Sequence, residues 1–220
     1  TVTLQSSFFC WAHVWNRGAS SSNMNPIISL HAFVLGTENS LSSESRAAIE
    51  FKLAPNWHIY WENYGDTGMS TTADDATLLY PTPKKIPLPG EMLSYGYEGR
   101  VVFFVVKPKD NIFLRWLACK EDTCIPGKKK IRFEPAKSER FQSDWEALPK
   151  DCPFTWEHQS DGLSKVVARS NSWMAPYTEV ANDVHSQFQQ NGSHFVRWKN
   201  TKPFGRFLWT NDTLSCIIHI

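Results

Sequence analysis

Residues 46–53 read Arg46-Ala47-Ala48-Ile49-Glu50-Phe51-Lys52-Leu53. Ala47, Ile49, Phe51 and Leu53 fall on one side, and Arg46, Ala48, Glu50 and Lys52 on the other. Side chains of a strand alternate between its two faces, so this period of two marks a half-buried β-strand. The same texture continues outward along the chain. Segments 27–35, 57–61, 101–106, 112–119 and 129–133 are rich in β-branched and aromatic residues and read as strands. Turn signals separate them: Ala54-Pro55-Asn56, Tyr64-Gly65-Asp66, Pro87-Leu88-Pro89-Gly90, Lys109-Asp110-Asn111 and Pro126-Gly127. Many short strands with regular turns predict an all-β sandwich. Residues 62–98 are poor in strand signal. Their Pro, Gly, Asp and Thr content reads as functional loops.

Segment 138–148 is the best helix candidate. Phe141, Trp145 and Leu148 recur at helical spacing, Ser138 is placed to cap the start, and Pro149 stops the run. The division expected is therefore an N-terminal tail or residual targeting segment (1–25), a first β unit (26–137), a linking helix (138–149) and a second, smaller β-rich domain (150–220). In that last stretch, 154–158, 163–169, 194–199, 204–210 and 214–219 read as strands. Asn191-Gly192 and Asn211-Asp212 read as hairpin turns. About 70 residues is marginal for an independent fold. A Cys152–Cys216 bridge would close a long loop and contribute about 4 kcal/mol in the chain-entropy account.

Composition bounds the function. The 220 residues carry 23 Lys plus Arg against 22 Asp plus Glu, a formal net charge of +1. A nucleic-acid binder usually shows a basic field, and here the compact basic run is only Lys128-Lys129-Lys130, the kind of run expected on a solvated strand edge. No apolar stretch reaches the roughly 18–20 residues that span a bilayer. The apolar segment 8–15 followed by small polar residues fits either the end of a signal peptide or a short N-terminal strand or tail. No glycine-rich phosphate loop or Gly-x-Ser-x-Gly element supports nucleotide or acyl-transfer chemistry.

The five cysteines are an odd number, so at least one lacks an internal partner. Chemistry concentrates in Trp116-Leu117-Ala118-Cys119-Lys120-Glu121-Asp122-Thr123-Cys124-Ile125-Pro126-Gly127. A strand leads into each end, and the polar residues between the cysteines fit a hairpin loop. Cross-strand partners sit about 4.5–5.5 Å apart at Cα, which is within disulfide reach. A bridge closing so short a loop is an inefficient staple. Residue spacing alone leaves three readings open: a redox-active pair, a structural hairpin disulfide, or metal binding. Reactivity needs a stabilised thiolate. Lys120 and residues 128–130 are candidate sources of positive charge, with Glu121 and Asp122 opposing.

Three segments together resemble the N-terminal periplasmic domain of the DsbD/ScsB family of transmembrane thiol–disulfide interchange proteins. They are 54–68 (APNWHIYWENYGDTG), 95–102 (YGYEGRVV), and Leu117-Ala118-Cys119 through Cys124-Ile125-Pro126. The resemblance covers roughly residues 28–135, and the Trp-Glu-Ala-Leu-Pro run at 145–149 resembles the ScsB branch. It implies an immunoglobulin-like sandwich in the periplasm that needs no cofactor or metal. It also implies a place in electron transport, including cytochrome c biogenesis. A thioredoxin-like domain of the same reductase would reduce the cysteine pair. The pair would then reduce periplasmic disulfide isomerases or thioredoxin-like proteins. By resemblance, Cys124 is the attacking thiolate and Cys119 the resolving one. His58 and Tyr60 stand where the family places two aromatic residues beside the cysteines. His58 departs from the expected tyrosine and reads either as a group that hydrogen-bonds sulfur or moves a proton, or as an ordinary strand histidine. The cap-loop region matches residues 91–95, with Leu93 and Tyr95 as candidates, though the family's acidic-aromatic pattern is missing.

Two rival readings stand beside this one. One is a disulfide-stabilised, non-enzymatic binding module. The other is a copper-binding domain using Cys119, Cys124 and His58. Most of the ten tryptophans should pack in the core, with Trp61 and Trp116 kept as exceptions because they flank the matched segments. Asp66 is either a loop-orienting residue or simply part of a turn.

Overall fold

A computed structural model describes residues 25–35, 46–106, 108–153, 157–158, 163–167, 172–191, 193–199 and 205–219. The expected N-terminal tail, which contains Cys10, falls almost wholly outside these residues. In chain order the first strands are β1 (Ile27–Leu35), β2 (Arg46–Leu53), β3 (His58–Gly65), β4 (Thr72–Asp74), β5 (Leu78–Leu79), β6 (Lys84–Leu88), β7 (Met92–Glu98), β8 (Arg100–Val106), β9 (Asn111–Lys120), β10 (Thr123–Arg132) and β11 (Glu134–Ala136). A 3-10 turn over Ser138–Phe141 runs into α1 (Gln142–Glu146). Then come β12 (Lys150–Asp151), β13 (Glu157–His158), β14 (Leu163–Val167), β15 (Trp173–Pro176), α2 (Thr178–Ala181), β16 (Val184–Gln190), β17 (Ser193–Trp198), β18 (Arg206–Thr210) and β19 (Ser215–His219).

Strands β1 to β11 form an immunoglobulin-like sandwich. One sheet has the order β11-β1-β2-β8-β5. The other runs β10-β9-β3-β7-β6, with β4 also pairing β9. The decisive run 46–53 is β2, in the middle of the first sheet. Its Ala47, Ile49 and Phe51 are fully buried between the sheets. Phe51 meets Phe103 and Trp116 edge-on at 5.8 and 5.4 Å, geometry that aromatic rings favour.

The polar face of β2 is also covered. Phe33, Ala48, Val102, Phe104 and Phe141 make a second, smaller core under the 3-10 turn and α1. Glu50 lies in this layer, 4% exposed, and its carboxylate accepts from Arg100 at 2.6 Å and Arg140 at 3.1 Å. Arg100 also makes a two-point bond to Asp144 of α1, at 2.8 and 2.9 Å. A buried carboxylate is costly unless paired, so this network both compensates Glu50 and fastens the helix. The expected cap by Ser138 is replaced: Lys137 precedes the turn, and no side chain caps it.

The loop reading of 62–98 is corrected by β6 and β7. β7 is an interior strand of the second sheet, between β3 and β6. Its signal is masked by Gly96, which stands where a Cβ would come within 2.3 Å of the Ile59 carbonyl oxygen. Close approach of the neighbouring backbone excludes the β-branched residue that would have announced a strand.

Beyond α1 lie two further sheets, β12-β19-β18-β15 and β13-β14-β17-β16. Cys152 and Cys216 are bonded across a sequence separation of 64, beside the parallel pairing of β12 with β19. In the turn between β18 and β19, Asn211 Oδ1 accepts from the backbone amides of Thr213 and Leu214. The first of these sheets shares a core with the sandwich through Ala175, Tyr177 and Leu208. Trp61 meets Tyr177 at 5.0 Å, and Tyr95 stacks on Trp173 at 5.7 Å. Asn63 Nδ2 donates to the Pro176 carbonyl at 2.7 Å, and Thr178 Oγ1 donates to the Glu62 carbonyl at 2.9 Å.

Candidate active site

β9 and β10 form an antiparallel hairpin closed by Glu121 and Asp122. Its register sets Cys119 directly opposite Cys124. The two are disulfide-bonded, with Cα atoms 4.1 Å apart. They differ in exposure: Cys119 is 2% exposed, whereas Cys124 lies open on the edge strand. The hairpin's geometry has a local cause at Gly127. A Cβ there would fall 2.1 Å from the Trp116 indole, so the ring lies across a strand position that must lack a side chain. Trp116 thereby buries its ring in the core while its strand delivers Cys119 to the opposite face.

The neighbouring strand completes the site. His58 of β3 is the cross-strand partner of Cys119, so their side chains share a face. Tyr60, two residues on, shares it too. His58 Nε2 and Tyr60 Oη are 3.2 Å apart and buried, with the rings edge to face at 5.1 Å. Burial holds the His58 imidazole below its ordinary value, partly offset by Glu98, its partner on β7. Burial likewise raises the Tyr60 phenol. The pair is therefore a neutral imidazole beside a neutral phenol, with one hydrogen bond between them.

The structure brings Cys119, Cys124, His58 and Tyr60 to one face. It places Leu93 and Tyr95 elsewhere. Tyr95 alternates onto the inner face of β7, between Trp61 and Trp173, and Leu93 packs against the same core. The segment lying against Tyr60 is residues 66–71. Gly68 presses on the Tyr60 ring, where a Cβ would stand 2.4 Å from Cε1. Met69, in that segment, is exposed. The segment is pinned by Asp66, whose amide donates to the Leu93 carbonyl and whose carboxylate accepts from the Leu93 amide at 2.7 Å. Ser94 Oγ adds a bond to the Thr67 carbonyl. Asp66 thus orients a loop, and Gly68 is the residue that sequence reasoning passed over, although it sits inside the quoted motif.

Trp61 and Trp116 are buried core residues. Lys120 adjoins the cysteines, but Lys128 lies four residues along the strand, about 13 Å from Cys124, too far to act on its sulfur directly. Among the described residues, no group of three or more His, Cys, Asp and Glu is arranged to hold a metal ion, and no helix is long and apolar enough to cross a membrane.

Comparison with known proteins gives a consistent picture. Residues 31–135 match the family profile described as thiol:disulfide interchange protein DsbD, N-terminal. The N-terminal periplasmic domain of ScsB from Proteus mirabilis superposes with a TM-score of 0.59 at 16% identity, over 86% of this chain and 90% of that one. That likeness is one of fold. An I9–I11 tandem of titin overlaps at a TM-score of 0.20 and 7% identity, too poorly to carry an argument. No curated protein matches the sequence.

Proposed function

From a chain whose residues 31–135 are a DsbD-family N-terminal domain with a role in thiol–disulfide interchange, we propose that Cys119 and Cys124 carry reducing equivalents to extracytoplasmic thiol oxidoreductases. The observation that supports this best is the asymmetry of the bond, with one sulfur exposed on an edge strand and its partner buried beside His58. In the reduced state the Cys124 thiolate attacks a partner disulfide. A mixed disulfide forms and one partner thiolate leaves. Cys119 then attacks Cys124 sulfur, closing the internal bond and releasing the second partner thiolate, so two electrons pass to the partner. In this reading His58, its pKa lowered by burial, takes the Cys119 proton, and Tyr60 orients its ring.

The reading extends to the surroundings. A thioredoxin-like domain of a membrane-embedded reductase would reload the pair. Periplasmic disulfide isomerases or thioredoxin-like proteins would discharge it. Residues 26–137 would be the redox unit, 138–149 its sealing helix and 150–220 a second unit. The rival binding-module reading calls for a buried bridge, and the exposure of Cys124 speaks against it.

The test is a redox titration with mass-resolved thiol trapping, which separates the two disulfides. A potential for Cys119–Cys124 between about −180 and −270 mV is expected for an exchange catalyst. A value well below about −300 mV would mark a structural bond and overturn the reading.

A further inference from the structure

The face that carries Cys119 and Cys124 continues down the hairpin. Register places Pro126 beside Leu117, Lys128 beside Arg115, Lys130 beside Phe113, and Arg132 beside Asn111. Alternation along β9 and β10 puts all of these on the disulfide's side of the sheet. Phe113 is 42% exposed, and the ammonium groups of Lys128 and Lys130 lie 5.1 and 5.9 Å from its ring centroid. Arg115 pairs with Asp74 at 2.6 Å. Lys128, Lys130 and Arg132 have no salt bridge among the described residues. The chain as a whole carries only +1, so this column is a local concentration of positive charge. Lysine on an edge strand ordinarily discourages edge-to-edge pairing. That purpose does not require three cations on the sulfur-bearing face, two of them set over an exposed phenyl ring.

We propose that this column, Lys128 and Lys130 over Phe113 with Arg132 next along the strand, is a docking surface for an acidic face of the protein that exchanges with Cys124. The inference rests on the exchange reading above. Whatever sits on Cys124 lies over the same sheet face. The cations begin about 13 Å and end about 26 Å from that sulfur, so the complementary acids belong at that distance from the partner's own disulfide. Glu121 and Asp122 at the hairpin tip carry the opposite sign, which orients the approach as well as attracting it.

The test uses the reduced 220-residue chain and two peptides, each activated at a single cysteine as the 5-thio-2-nitrobenzoate mixed disulfide. One carries four glutamates in the positions that span the column, and the other carries glutamines there. Release of the chromophore reports the attack. At low salt the glutamate peptide should react about tenfold faster or more. The advantage should vanish in 0.5 M salt and in a K128E/K130E/R132E variant. Hydroxyethyl disulfide, small and neutral, should react with wild type and variant alike. Equal rates for the two peptides would overturn the docking surface while leaving exchange intact. No reaction with hydroxyethyl disulfide would instead remove the exchange reading itself. Vesicles of phosphatidylcholine and phosphatidylserine at 3:1 provide the remaining arm. Sedimentation of wild type but not of the triple variant, without a peptide preference, would assign the column to a membrane surface and overturn the proposal.

Discussion

The two disulfides of this chain differ in what would be lost without them. Cys152–Cys216 spans 64 residues and joins β12 to β19, whose parallel pairing is only two residues long. Cys119–Cys124 spans 5 and joins strands already zipped in register from Thr123 to Arg132. In the chain-entropy account the long closure stabilises by about 4 kcal/mol and the short one by about 2 kcal/mol at most. Any hairpin structure kept by the unfolded chain would lower the second figure further. A bond that contributes little to stability can open and close without endangering the fold, and the bond that does contribute is kept off the exposed sheet face. On the exchange reading, similar chemistry serves as fastening in one place and as cargo in the other.

The sharpest break of this contrast is C124S, which should reduce exchange with hydroxyethyl disulfide to the uncatalysed background, while C119S should trap a mixed disulfide visible by mass. A double C152A/C216A variant should leave the exchange rate within about twofold. If that variant also lost exchange while folded, the division of labour would be wrong. Stability should show the reverse order. C152A/C216A should lose about 4 kcal/mol, read as a fall in Tm of roughly 10 °C for a chain this size. C119A/C124A should lose less than half as much. A smaller effect concerns pH. Burial keeps His58 below its ordinary value of 6.5, so the unfolded chain binds the proton more readily than the folded one. Stability therefore falls as pH drops through about 6.5 and below. His194 is lowered in the same direction by burial and by Lys85, so H58N should flatten this acid slope only in part. An unchanged slope in urea titrations between pH 7 and 5 would show that His58 is not buried as described.

The residues that announced themselves in the sequence were those whose pattern is local. The alternation in 46–53 and the β-branched run 101–106 became β2 and β8 of one sheet. The cysteine hairpin was readable because its register follows from its own short turn. Three positions were lost for one physical reason: their meaning lies in a neighbour distant in sequence. Gly96 conceals an interior strand, Gly68 covers Tyr60, and Tyr95 turns inward to a tryptophan of the later sheets. The strands β15 and β16 were missed as well. β15 ends in Pro176, and β16 is polar and exposed along most of its length, so neither shows apolar alternation. Of the expected site, four residues assemble on one face. The expected cap residues do not, since alternation about Ser94 and Gly96 assigns them to the other side of the sheet.

Strand β3 holds a further consequence. Its first residue, His58, pairs with Cys119, and its middle residues, Trp61, Glu62 and Asn63, grip β15 and α2. The span between these ends is a few residues of extended chain, about 15 Å. A strand pinned at both ends works as a strut rather than a hinge. His58, and Cys119 paired with it on β9, are therefore held at a set height relative to β15 and α2. On the exchange reading, a partner would meet the Cys119–Cys124 bond at a set position relative to β15 and α2, and its shape would be gauged before any electron moved.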